Sequence, residues 1–246
     1  MHPIHIATAG WSVSSRWAGA VPGPGTHLER YGRVLPAVEI DSSFYRPHRP
    51  ATYARWAESV PPGFRFAVKL PRTVTHERRL NDADEPLDRF LGEVTHLGDR
   101  LGPLLVQLPP SLRFDAAVVD AFFGRLRRVF MGELVCEPRH ASWFADGPEA
   151  LLADHAVARV AADPQPAEGA GEPGGWAGLA YLRLHGSPVM YRSDYPPDAL
   201  RAMAERLLAE ARERPVWCVF DNTADGHALG NALALRDLVA AVADTG

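Results

Sequence analysis

The sequence predicts an α/β fold, a (β/α)8 TIM barrel formed by the whole chain as one domain, residues 1–246. Three observations predict it. Eight short apolar runs recur along the chain, most of them bounded by Gly or Pro as buried strands are. Segments of helical period alternate with them, the pattern of parallel β joined by crossover helices. The length, 246 residues, is close to the typical size of such a barrel. A doubly wound open sheet is the alternative, but "ATAGWSVSS" after the first run lacks its Gly-rich spacing.

In order, the strand segments are 4–10, 37–41, 64–70, 103–108, 133–138, 157–163, 179–186 and 216–222. Between them "THLERYGRVL" places Leu28, Tyr31 and Leu35 on one face, and "ATYARWAESV" does so with Tyr53, Trp56 and Val60. Two longer segments, "EPLDRFLGEVTHLGDRL" and "DAAVVDAFFGRLRRVF", carry apolar stripes built on Leu87, Phe90, Leu91 and Val94 and on Val118, Val119, Phe122 and Leu126. "GPEALLADH" reads as a short helix. "PPDALRAMAERLLAEARER" and "HALGNALALRDLVAAVAD" are the clearest helices, the former opening on Pro as helices prefer. After the sixth strand "PQPAEGAGEPGGWAG", 164–178, is too rich in Gly and Pro to pack, so a mobile loop is expected in place of a helix.

Composition excludes several classes. Net charge is −4, which weighs against nucleic acid and anionic membrane as partners. No apolar run reaches the length of a bilayer span, and "MHPIHIATAG" lacks the pattern of a signal peptide. Cys136 and Cys218 sit inside apolar runs, as reduced core residues of a cytoplasmic protein would.

Chemistry gathers where the apolar runs end. In "ELVCEPRHASWF" a buried strand passes directly into Glu137 and Arg139. The other runs behave alike. With alternate residues facing inward, Glu39 and Asp41, Lys69, Gln107, Asp163, Arg183 and His185, and Asp221 fall on the lumen face near the carboxyl ends of their strands. That is the end at which barrel enzymes build their sites. Burying so many ionisable groups costs several kcal/mol each unless they pair or meet a ligand. A chain needing only a core would place Val or Ile there. The bland reading is a set of structural ion pairs, Glu137–Arg183 or Asp163–Arg139 among them.

The ordered motifs "GWSVSSRW", "VEIDSSFYRP", "KLPRTVTHERRL", "VQLPPS", "CEPRHASWF", "YLRLHG" and "VFDNTADGHALGNA" together resemble the YecE-like family, domain of unknown function 72. The resemblance spans nearly the whole chain and implies a TIM barrel; it assigns no reaction. Two departures each add a carboxylate. "VEID" stands for the family's "VEIN" and "FDN" for its more usual "FNN", at Asp41 and Asp221.

The preferred reading is an enzyme that works by acid/base chemistry on a small anionic metabolite, phosphorylated or carboxylated. Glu137, His185, Lys69 and His76 are its candidate catalytic residues. Arg139, Arg183, Glu39, Asp41, Gln107, Asp163, Asp221, Asn222, Trp11 and Tyr45 are its candidate substrate-binding residues. No cofactor and no metal is expected on this reading. One alternative is a divalent-metal hydrolase or isomerase that draws Glu39, Glu137, Asp163, His185 and Asp221 together. A second is a non-catalytic module that binds protein or nucleic acid through the basic loop of Lys69, Arg72, His76, Arg78 and Arg79.

Overall fold

The computed structural model describes residues 1–243, so the last three residues of the expected domain, and with them the last residue of the expected final helix, lie outside the described residues. The strands are β1 (Ile4–Thr8), β2 (Ala37–Ile40), β3 (Arg65–Lys69), β4 (Leu101–Gln107), β5 (Leu134–Glu137), β6 (Val157–Arg159), β7 (Ala161–Asp163), β8 (Gly174–Gly175), β9 (Ala180–Leu184) and β10 (Val216–Phe220). The helices are α1 (His27–Tyr31), α2 (Ser42–Tyr45), α3 (Pro50–Glu58), α4 (Asp84–Val94), α5 (Ala116–Val129), α6 (Asp146–Asp154), α7 (Pro197–Glu210) and α8 (Ala228–Ala243).

Every expected strand is present and the α/β alternation holds. The strands form two parallel sheets, ordered β1-β10-β9-β7 and β2-β3-β4-β5-β6-β8, with β8 alone antiparallel; neither sheet closes on itself. The expected sixth strand is divided between them. β6 pairs with β5 and β7 pairs with β9, with Val160 between. At the opposite edges a parallel bridge joins Ala9 to Glu39.

Local chemistry sets the helix ends. Thr26 and Glu29 form a reciprocal capping box at α1. Asp115 accepts from the first amides of α5, and Pro sits in the first turn of α3 and α7. The long segment 85–101 is not one helix. α4 stops at Val94 and a 3-10 stretch follows, broken at Gly98, whose φ of 57° and ψ of −132° are not helical.

The loop 164–178 contains no helix, as expected, but it is tied down rather than free. β8 pairs with β6, Glu149 accepts from the Gly175 amide, and Arg206 donates to the Gly171 carbonyl and to Glu172. Composition concealed these anchors because each is supplied by an element distant in sequence.

Two apolar layers result. Leu182, Leu184, Cys218, Phe220, Val106 and Cys136 pack with the helices in the larger one. The smaller lies on the other face of both sheets and takes Ala7, Ala37, Ala67, Leu105, Val135, Ala158, Val160, Tyr181, Trp217 and Val219. Alanines from β1, β2, β3 and β6 leave room there for Trp217 and Tyr181, which stack with centroids 5.9 Å apart, and for the Arg183 side chain above them.

Candidate functional site

The strands that supply this inner layer end in the ionisable groups, because an alternating strand keeps one face over its whole length. Val135 leads to Glu137, Tyr181 to Arg183 and His185, Val219 to Asp221, Ala67 to Lys69, and Leu105 to Gln107.

Arg183 is the hub and is wholly buried. Its Nε and Nη2 donate to both oxygens of Glu39, at 3.1 and 2.6 Å; its Nη1 donates to Glu137 Oε2 at 2.7 Å, and Nη2 reaches Asp221 Oδ2 at 3.1 Å. The Tyr181 hydroxyl adds a third bond to Glu39, 2.8 Å. A buried guanidinium is stable only when its fork is matched this closely by carboxylates. These groups hold the guanidinium far above its ordinary range against the pull of burial.

His185 is held between two acids. Nδ1 lies 3.0 Å from Asp221 Oδ2 and Nε2 lies 2.8 Å from Glu137 Oε1. Burial pulls the imidazole pKa down. The Glu137 charge and the two hydrogen bonds outweigh it, so the net shift is upward and favours the imidazolium. Burial likewise lifts the Glu137 carboxyl, but Arg183, Arg139 and His185 prevail and hold it well below the usual range. Asp221 is lowered in the same way, by Arg183 and His185 first, with Lys69 contributing. For Glu39 burial wins over Arg183 and the carboxyl moves up. Arg139 donates to Glu137 Oε1 at 2.9 Å and its Nη1 lies 3.8 Å from the Met190 sulfur.

Beside the hub, Lys69 Nζ donates to Asp41 Oδ1 at 2.8 Å and sits 4.2 Å above the Phe44 ring. His76 stands in a π-helical turn, Thr73–Glu77, edge-on to the same ring and 2.9 Å from Thr75 Oγ1. Burial and the cations Lys69, Arg72, Arg139 and Arg79 lower its pKa.

Glu39, Asp41, Lys69, His76, Gln107, Glu137, Arg139, Arg183, His185 and Asp221 therefore gather at one end of the sheets. Four expected site residues do not join them. Asp163 pairs in register with Leu184, on the helix-facing side, and its carboxylate accepts from the Tyr195 hydroxyl at 2.6 Å. Along β6 and β7 the inner positions are Ala158 and Val160, one residue out of phase with the expected face. In "VARVAAD" Ala158, Val160 and Ala162 form one face and Val157, Arg159, Ala161 and Asp163 the other; strand-end polarity drew the charged face inward, whereas the small apolar face is the one that turns in. Asn222 is buried, bonding the Ser193 carbonyl and Asn231 as a loop tie. Trp11 packs edge-on against Trp56 beside the helix-side core. Tyr45 is exposed and lines a separate surface cleft of about 330 Å3 with Arg46, Pro47, Arg72 and Arg89.

The five-residue metal set does not assemble, since Asp163 faces away and both Glu39 oxygens are taken. Among the described residues no group of three or more His, Cys, Asp or Glu is placed to hold a metal ion. Tyr181 was missed as a site residue. Its place in the run "YLRLHG", two residues before Arg183 on one strand face, was the available signal.

Comparison with known proteins is consistent with the motifs. Thirty-two per cent of residues are identical over 152 residues to the protein YecE of Escherichia coli K12, covering 59% of this chain and 55% of that protein. YunF of Bacillus subtilis 168 is 27% identical over 150 residues, 58% of this chain and 52% of its own length. The chain thus spans about half the length of the curated relatives it matches. Among solved structures, a DUF72 family protein of Thermotoga maritima MSB8 superposes with a TM-score of 0.79 at 25% identity, covering 97% of this chain and all of that one. One from Enterococcus faecalis V583 gives 0.79 at 21% identity and 98% coverage of each chain. The model of the family described as protein of unknown function DUF72 matches residues 5–245, and the chain belongs to that family.

Proposed function

We propose that the strand-end network is the active site of a cytoplasmic enzyme that moves a proton on a small anionic metabolite. The observation that carries the reading is His185, held between Glu137 and Asp221 in a network whose charge is graded from a sealed interior to an accessible rim. Arg183 with Glu39 and Tyr181 forms the sealed part and acts as architecture. Asp221, Arg139 and Lys69 retain access, with side-chain exposures of 13%, 12% and 8%, against 0% for Arg183. Lys69 and Arg139 supply cations for a phosphate or carboxylate. His185 supplies a proton that its neighbours tune, and Glu137 fixes its orientation.

The reading also takes the two sheets as one closed (β/α)8 barrel and the chain as a single domain. A shared inner layer with members from both sheets, the Ala9–Glu39 bridge and the continuous path through Val160 support that closure. Turnover of a library of phosphorylated and carboxylated metabolites by the wild-type protein, against His185→Gln, tests the function. Consumption of one compound by the wild type alone is expected. Equal activity of the variant, or no compound turned over, would defeat the proposal.

A further inference from the structure

We infer, resting on the function just proposed, that the substrate is an anion bearing hydroxyl groups beside its charge, as in a polyol phosphate or a hydroxy acid. The argument is a count of hydrogen-bonding capacity left over at the mouth. Both oxygens of Glu39 and both of Glu137 are occupied by Arg183, Tyr181, Arg139 and His185. Asp221 differs. Its Oδ2 accepts from Arg183 and stands beside His185, whereas Oδ1 has no donor among the described residues. Asp41 bonds Lys69 through Oδ1 and leaves Oδ2 open, and Gln107 uses its Nε2 on the Leu108 carbonyl and leaves Oε1 open. The Lys69 and Asp41 charges act on Asp221 and on Glu39 respectively, so these groups share one neighbourhood.

The mouth therefore presents three open acceptors beside its donors. Lys69 spends one of its three N–H bonds on Asp41, and Arg139, 12% exposed, reaches the mouth beside Met190 and Tyr191. A dicarboxylate carries acceptors alone. It would meet Lys69 and Arg139 yet set its charge against Asp221 and Asp41 with nothing to offer their open oxygens, and inorganic phosphate offers only a P–OH on the charged group itself. A hydroxyl next to the anionic group resolves this by donating to Asp221 Oδ1, and a bond to a charged acceptor is the stronger kind. Sites of this construction discriminate steeply against an analogue lacking the hydroxyl.

Calorimetric titration with matched probes tests the inference. Glycerol 3-phosphate and propyl phosphate share charge and length and differ in hydroxyls; D-glycerate and propionate form the carboxylate pair, and inorganic phosphate is the bare anion. In the wild type the hydroxylated member of one pair binds at least about tenfold more tightly than its partner, and which pair responds identifies the anion. In Asp221→Asn the carboxamide oxygen is needed for Arg183 and His185, which turns the amino group toward the ligand, and the ratio falls below about threefold. Gln107→Met, which leaves the ion pairs intact, narrows the ratio if Asp221→Asn fails to fold. Equal binding within both pairs overturns the inference while leaving the anion site standing. No binding of any probe overturns the anion site itself.

Discussion

Arg183 sets the energetics of the site. Removing one partner of a buried ion network leaves the others charged and unsolvated, a penalty of about 3–5 kcal/mol. Arg183→Met is therefore expected to lose about that much stability in urea denaturation, since Glu39 and Glu137 are as deeply buried as the arginine. Asp163→Asn should lose at most about 1 kcal/mol, its bond to Tyr195, and should leave ligand binding unchanged because it faces the helices. The pH dependence follows from signed shifts. His185 is raised, so its contribution is complete below its ordinary 6.5 and is lost as pH rises through the higher folded value. Glu137 and Asp221 are lowered, so theirs is complete above 4.5 and 3.8 and is lost as pH falls further; Glu39, raised by burial, opposes them. The urea midpoint should thus fall as pH rises above about 6.5, and His185→Gln should abolish that decline; on the acid side it falls as well, where His5, His48 and His76, all held below their ordinary 6.5 by burial, resist protonation.

At the scale of elements, close packing decides what substitutions are tolerated. Gly230 in α8 lies against Trp17, whose Nε1 donates to the Gly226 carbonyl at 2.9 Å. A Cβ at Gly230 would fall 2.1 Å from that ring. Gly230→Ala should cost about 1–3 kcal/mol and shift the Trp17 fluorescence as the indole is displaced. Gly186, two residues past β9, has φ of 90°, and a Cβ there would meet the Ser193 carbonyl at 2.9 Å. The loop that follows carries Met190 to Arg139 and the Tyr191 ring to 5.7 Å from His185. Helices with strong apolar stripes, α4, α5 and α7, were readable within a few residues. α2 and the π-helical turn that carries His76 were not, because four or five residues hold too little periodicity to register.

For the molecule as a whole, the two sheets act as one cooperative unit if the proposed barrel is closed. Cys136 lies on β5 in one sheet and Cys218 on β10 in the other, both fully buried. Burial pushes both thiols up, so neither reacts while folded. Labelling of Cys136→Ala and Cys218→Ala variants should therefore follow a single unfolding rate. Distinct rates would show two units that open separately.

The order of the strands, the end at which the chemistry collects and most of the inward-facing residues were present in the sequence, because alternation and strand-end polarity are local properties. Val135 to Glu137 and Tyr181 to Arg183 could be read in that way. Three things were decided only in three dimensions. These are the face taken by Asp163, the anchoring of the 164–178 loop, and which ionisable groups neutralise one another and which keep an open bond. Each depends on partners far apart in the chain, as Glu39 and Arg183 are, and a buried charge takes its state from the groups that surround it.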